Sequence, residues 1–139
     1  MDKQKKKLRL IRMPYWIGIF ADAAWAFALF FPFVFGIFIG KPDFDPDFQT
    51  RLIMALGGSL MTGWTFLLLW AVRKPIERRV VILLTAFPVV FGLLIISVLG
   101  FLAGNTFTLW IIVKTIILFF TMIMSYILAG RIVREKKQW

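Results

Sequence analysis

The run TFTLWIIVKTIILFFTMIMSYILAG, from Thr106 to Gly130, contains one charged residue, Lys114, and is followed at once by RIVREKK. An α-helix rises ~1.5 Å per residue, so about 20 apolar residues cross the ~30 Å hydrocarbon core of a bilayer. The run is long enough to do so. Three others share its character: Pro14 to Gly40, Arg51 to Val72 and Val80 to Ala103. Clusters of charge and one turn separate them. The predicted fold is all-α: a polytopic membrane protein with four transmembrane helices, 14–40, 51–72, 80–103 and 106–130, in an antiparallel bundle. Short basic tails flank it, and residues 1–139 form a single domain.

Composition points the same way. Of 139 residues, 60% are apolar, against roughly 45–50% in an ordinary soluble domain. A soluble chain of this length has too few polar residues to cover four apolar helices. The runs lack the period-2 alternation of a membrane β-barrel. The first run comes after a basic segment, as in a signal peptide, but it exceeds a typical apolar signal core and no suitable small-residue cleavage site comes after it; it is read as a retained helix. With neither Cys nor His, disulfide and thiol chemistry, the usual zinc sites and His-based acid–base catalysis are excluded. No cofactor is implied.

The basic residues set the orientation. The N-terminal segment carries Lys3, Lys5, Lys6, Lys7, Arg9 and Arg12; the loop between spans two and three carries Arg73, Lys74, Arg78 and Arg79; the tail carries Arg131, Arg134, Lys136 and Lys137. Fourteen of the 17 positive residues thus fall on one side. Only Lys41 and Arg51 lie in the first opposite loop, and the second, at Gly104 and Asn105, has none. The positive-inside rule places both termini in the cytoplasm, in a multi-pass protein of the cell (plasma or inner) membrane. The basic face is expected to attract anionic lipid headgroups. Nucleic-acid binding is not expected, because topology alone demands these charges. Trp16, Trp70 and Trp110 stand near span ends, where interface belts form, and Trp139 is within reach of the headgroups from the tail.

The outer loop, Lys41 to Phe48, repeats an acid at every second residue: Asp43, Asp45 and Asp47. Closely spaced carboxylates supply oxygen ligands for a hard cation such as Ca²⁺, although the twelve-residue EF-hand pattern is absent. The favoured reading is a helix start, with Asp45 as N-cap, Pro46 as first helical residue and Asp47 near the positive end of the helix dipole. In the inner loop, Pro75 is expected to open helix three, with Glu77 in its first turn; the four cations there also admit a phosphate-binding role.

Two charges lie inside spans, and such residues default to a functional hypothesis. Lys114 can snorkel toward the outer surface. Asp22, eight residues past Pro14, is too short to do so; it must face protein or a wet cavity, be protonated, or both. Depth arithmetic puts Thr62, Trp64 and Thr65 of span two and Thr121, Ser125 and Tyr126 of span four at its level. Gly18, Asp22, Trp25 and Leu29 share a helix face. An acid flanked by Trp25, Trp64 and hydroxyls is a candidate site for a cation or an amphipathic solute; the alternative is an acid that holds helices together. Ala55, Ser59 and Gly63, and the pairs Gly36–Gly40 and Gly100–Gly104, have the spacing of close helix contacts. Pro32 and Pro88 are expected to bend spans one and three.

In size, and in the acid of its first helix, the chain resembles the small multidrug resistance transporters. It departs from them in using Asp, in a charge bias that forbids dual insertion and in sharing no further motif. It also looks broadly like DoxX-type four-span proteins. Both likenesses are architectural and carry no residue over. The first functional expectation is a non-enzymatic helical bundle that self-associates or assembles with a membrane partner. The alternative is a proton-coupled small-solute or cation transporter centred on Asp22. The third is a membrane enzyme acting on a lipid or quinone, for which no nucleophile–base pair or paired carboxylates are visible.

Overall fold

The computed structural model describes residues 2–104, 106 and 108–137, and side chains over 7–104, 106 and 108–134. The expectations for Asn105 and Trp139 fall outside the described residues. Every regular element among those residues is helical: α1 (Asp2–Phe30), α2 (Pro32–Phe38), α3 (Phe48–Ala71), α4 (Arg79–Leu84), a π-helical segment (Thr85–Val90), α5 (Phe91–Leu102) and α6 (Thr108–Lys137). Four stretches are long and apolar enough to cross a membrane: Lys7–Phe30, Phe48–Ala71, Arg79–Leu102 and Thr108–Arg134. They are compatible with a small multi-pass integral membrane protein.

The first stretch differs from the predicted 14–40 at both ends. Helix α1 runs through Pro14, which is fully buried, instead of starting there. It ends at Phe30 because Pro32 offers no N–H and pushes the preceding residue into extended backbone (Phe31 φ −119°, ψ 96°). Helix α2 does not prolong the span. Trp25 and Phe38 are thirteen residues apart, about 20 Å along a straight helix, yet their ring centroids lie 5.7 Å apart. Helix α2 therefore turns back against the end of α1, and a second ring contact, Trp25 with Phe35 at 6.2 Å, holds it there.

Pro88 acts differently. Around it α4 and α5 are joined by the π-helical turn Thr85–Val90. Widening the helix relieves the clash between a proline ring and the preceding turn. Thr85, the first residue of this turn, donates its hydroxyl to the Val81 carbonyl one turn back, at 2.8 Å.

By its contacts the chain divides into two compact units, one built from the chain up to Trp16 and from Trp70 onward, the other from Ile17–Leu69. In the first, α4, the π turn and α5 pack on α6. Phe119 of α6 meets Phe87 at 5.7 Å and Phe91 at 6.0 Å. Gly100 lets α6 approach, since a Cβ there would lie 3.0 Å from Thr108 Cγ2. The start of α1 joins this unit through two hydrogen bonds from buried hydroxyls. Ser125 donates to the Ile11 carbonyl at 3.0 Å. The Tyr15 hydroxyl lies 3.3 Å from the Arg78 carbonyl and 3.4 Å from that of Pro75.

In the second unit, α1 and α3 meet at Gly57 and Gly58, where a Cβ would touch Leu29 at 3.4 Å and the Phe30 ring at 3.1 Å. The predicted stripe Ala55–Ser59–Gly63 is not this contact: Ser59 and Gly63 are exposed, and nothing lies within 4 Å of a Cβ at Gly63. Gly40 and Gly104 also have another role. Their φ values are 72° and 90°, so both are left-handed helix stops. At the first, Lys41 N–H bonds to the Gly36 carbonyl (2.7 Å) and Gly40 N–H to that of Ile37 (3.1 Å), a Schellman motif.

Candidate functional site

Within the apolar stretch Lys7–Phe30, Asp22 sits fifteen residues past the first residue and eight before the last, so about 22 Å and about 12 Å from its two ends. It is 7% exposed, and its Oδ2 is buried without a hydrogen-bond partner. A buried polar atom left unmatched costs about 1–3 kcal/mol. Such atoms are uncommon enough in folded proteins that each calls for an explanation.

The predicted neighbours fall into two groups. Thr62 and Thr65 of α3 line one cleft of about 270 Å³ with Ala23, Ala26, Phe27 and Phe30 of α1 and with Phe66. This wall is apolar apart from two hydroxyls, and both already donate within α3: Thr62 to Gly58 O at 2.8 Å and Thr65 to Met61 O at 2.8 Å. Each keeps acceptor capacity toward the cleft. Asp22 adjoins Ala23 in sequence but is not part of that lining. Trp25 is half-buried and engaged by the rings of Phe35 and Phe38; Trp64 is half-buried on α3.

The remaining candidates belong to the other unit. The Thr121 hydroxyl donates to Ile117 O at 2.5 Å. Ser125 is buried on Ile11 O, and Tyr126 stacks under the Arg79 guanidinium, 5.5 Å from Cζ to ring centroid. Lys114 is exposed and reaches back one turn, its Nζ 4.8 Å from the Trp110 ring, the direction in which helical side chains lean.

The outer loop corrects the predicted cap. Helix α3 starts at Phe48, and the N-cap is Asp47, whose Oδ1 accepts from Thr50 N–H at 2.9 Å. Asp45 instead pairs with Arg51 Nη2 at 2.6 Å, while Arg51 Nε donates to the Pro46 carbonyl at 3.0 Å. Because Arg51 draws the chain back over Pro46, the cap moves two residues later. The Thr50 side chain and backbone N–H hold the Asp47 carboxyl below the usual carboxylate range. Asp43 and Asp45 line a cleft with Lys41, Pro42 and Phe44. Among the described residues no three acids, His or Cys gather as a metal site needs.

The inner turn is corrected similarly. Helix α4 opens at Arg79, not Pro75, and Glu77 pairs with Lys74 at 3.2 Å. Pro75 is buried in the turn. Arg78 folds over Trp70, its Cζ 3.5 Å from the ring centroid, and donates to the Trp70 carbonyl.

Two features escaped the sequence reading. Tyr15, 0% exposed, anchors the inner turn, and its distance from that turn along the chain gives no local signal. A basic cleft joins Arg79 to Arg131 and Arg134; the i, i+3 spacing of the last two after Gly130 was the available hint. Comparison of the chain with protein-family models, with curated proteins and with solved structures returned no match.

Proposed function

We propose that this is a non-enzymatic membrane protein of the cell membrane, both termini cytoplasmic, that works by assembling with a second copy of itself. The observation that carries this reading is the open face of α3. Its apolar window is 17% buried, as is that of α6, but α3 also presents small residues there: Ser59 and Gly63 lie exposed beside Leu56 and Leu60. The chain uses Gly57 and Gly58 for its own packing, which leaves the Ser59–Gly63 stripe to another helix. Small residues let helix backbones approach, and dispersion, not hydrophobicity, drives association in lipid. The one-sided distribution of basic residues inserts every copy in the same orientation. A stripe on one copy then meets the same stripe on the next, as a two-fold contact requires.

The test is mass in mild detergent by light scattering. Wild type is expected at a multiple of the single-chain mass, and Gly63→Leu at the single-chain mass. Gly92→Leu is the control, since Gly92 of α5 has equally open space; it should leave the assembly intact. A single-chain wild type, or an assembly indifferent to Gly63→Leu, overturns the proposal.

A second reading rests on the unmatched Asp22 Oδ2. A buried carboxyl inside the apolar stretch of α1, next in sequence to an apolar cleft with two hydroxyls, suits proton-linked movement of a lipophilic cation. In proteoliposomes with an imposed proton gradient, wild type should accumulate tetraphenylphosphonium and Asp22→Asn should not. Equal uptake by the two, or none by wild type, ends this reading.

A further inference from the structure

We infer that the cleft between the start of α4 and the end of α6 is a binding site for the phosphate of an anionic phospholipid. The cleft holds about 370 Å³ and is lined by Arg79, Tyr126, Ile127, Gly130, Arg131 and Arg134. Among the described residues, three arginines and no acid line it. The ion pairs of the described residues, Arg51–Asp45 and Lys74–Glu77, involve none of the three. Guanidinium stays charged at any physiological pH and presents a planar fork that matches phosphate oxygens. Three such forks, with no counter-charge among the described lining residues, form an anion site.

The backbone builds this site from two directions. Arg79 is the first residue of α4, immediately after the turn that Tyr15 and Arg78 hold. Its Nη1 rests 3.0 Å from where a Cβ of Gly130 would stand, so the glycine forms the notch that seats the guanidinium. The Tyr126 ring supports the same group from one turn deeper. Arg131 and Arg134, at i and i+3, share the face beside that notch.

Position identifies the carrier of the phosphate. Arg79 begins one apolar stretch and Arg134 ends another, so the cleft lies at headgroup level. Its Ile127 edge, 49% exposed, continues along the lipid-facing side of α6, where acyl chains run. Inorganic phosphate would satisfy the arginines and leave that edge without purpose. The volume also exceeds a bare phosphate and admits a glycerol-linked one.

The experiment measures the preference of the intact protein in bilayers for spin-labelled phosphatidylglycerol over phosphatidylcholine. Wild type should prefer phosphatidylglycerol. Each arginine near a membrane surface changes affinity for anionic lipid about five-fold, so Arg131→Gln with Arg134→Gln should reduce the preference about 25-fold. Gly130→Leu keeps every charge but fills the notch under Arg79, and about a five-fold loss is expected. Arg9→Gln with Arg12→Gln removes the same number of charges outside the cleft; it lowers only the general attraction of the basic face and should reduce the preference clearly less than the cleft pair does. An equal loss in that control, or no loss in Gly130→Leu, reduces the effect to bulk charge and overturns the site. In a parallel arm, detergent-solubilised protein is titrated with inorganic phosphate by calorimetry. Binding of inorganic phosphate without any lipid preference would assign the cleft to a soluble anion and overturn the lipid.

Discussion

Tyr15 offers the sharpest test of how the basic inner turn is held. Its ring is fully buried, and its hydroxyl has one proton to share between two carbonyls, at 3.3 and 3.4 Å. Both distances exceed the usual range for an O–H donor, so the bond belongs at the weak end, about 0.5 kcal/mol. The ring should matter more. Tyr15→Ala removes roughly 100 Å³, and at about 24 cal/mol per Å³ of residual cavity this costs about 2.4 kcal/mol. The transfer part of the usual large-to-small cost is smaller here, because lipid tails are as apolar as a protein interior. Reversible unfolding in mixed micelles, monitored by tryptophan fluorescence, should therefore place Tyr15→Phe within about 0.5 kcal/mol of wild type and Tyr15→Ala about 2–3 kcal/mol below it. Limited trypsin cleavage after Arg73 and Arg78 gives a local readout, and only Tyr15→Ala should accelerate it. If Tyr15→Phe costs as much as Tyr15→Ala, the hydroxyl and not the ring anchors the turn. If neither variant changes cleavage, Tyr15 does not hold the turn at all.

Three further outcomes are expected. Asp47 caps α3 with a carboxyl whose pKa is lowered by Thr50, so its contribution is fully present above the ordinary carboxylate pKa of about 3.9 and is lost as pH falls below it through the folded value. Asp47→Asn should keep the cap and abolish this pH response, while Asp47→Ala should speed amide exchange at Thr50 at neutral pH. Gly58→Leu forces a side chain onto the Phe30 ring, 3.1 Å from the first added carbon, and should destabilise by about 1–3 kcal/mol in the same unfolding assay. Ser125→Ala removes the bond to the Ile11 carbonyl and should cost about 0.6 kcal/mol, the average for such hydrogen bonds within membranes.

Much of the fold was legible because the bilayer imposes a simple length rule. The apolar runs around Leu52–Leu69, Val81–Leu102 and Leu109–Leu128 need no partner to be recognised, since each satisfies its own backbone as a helix. The helix ends were harder. The predicted cap at Asp45 moved to Asp47 because Arg51 took Asp45, a contest between two neighbouring acids that local propensity cannot decide. Pro14 and Pro32 look alike as helix breakers, yet α1 passes through the first and stops before the second. The difference is tertiary: Pro14 is buried, whereas beyond Pro32 the rings of Phe35 and Phe38 gain Trp25 by folding back.

The candidate site divides along the same line. That Asp22 would be shielded from lipid was implied by its short side chain and its depth, quantities the sequence contains. Which hydroxyls would share a cleft was not, because depth is one coordinate and the angle around each helix is another. The arginines were visible as topology signals. Their gathering over Gly130 was decided by the packing of α4 on α6, since only packing brings Arg79, 51 residues away in the chain, into the notch. Solvent and lipid thus determined the spans one residue at a time, while the cleft and the inner turn depend on contacts between residues far apart in sequence, which pattern and propensity do not encode.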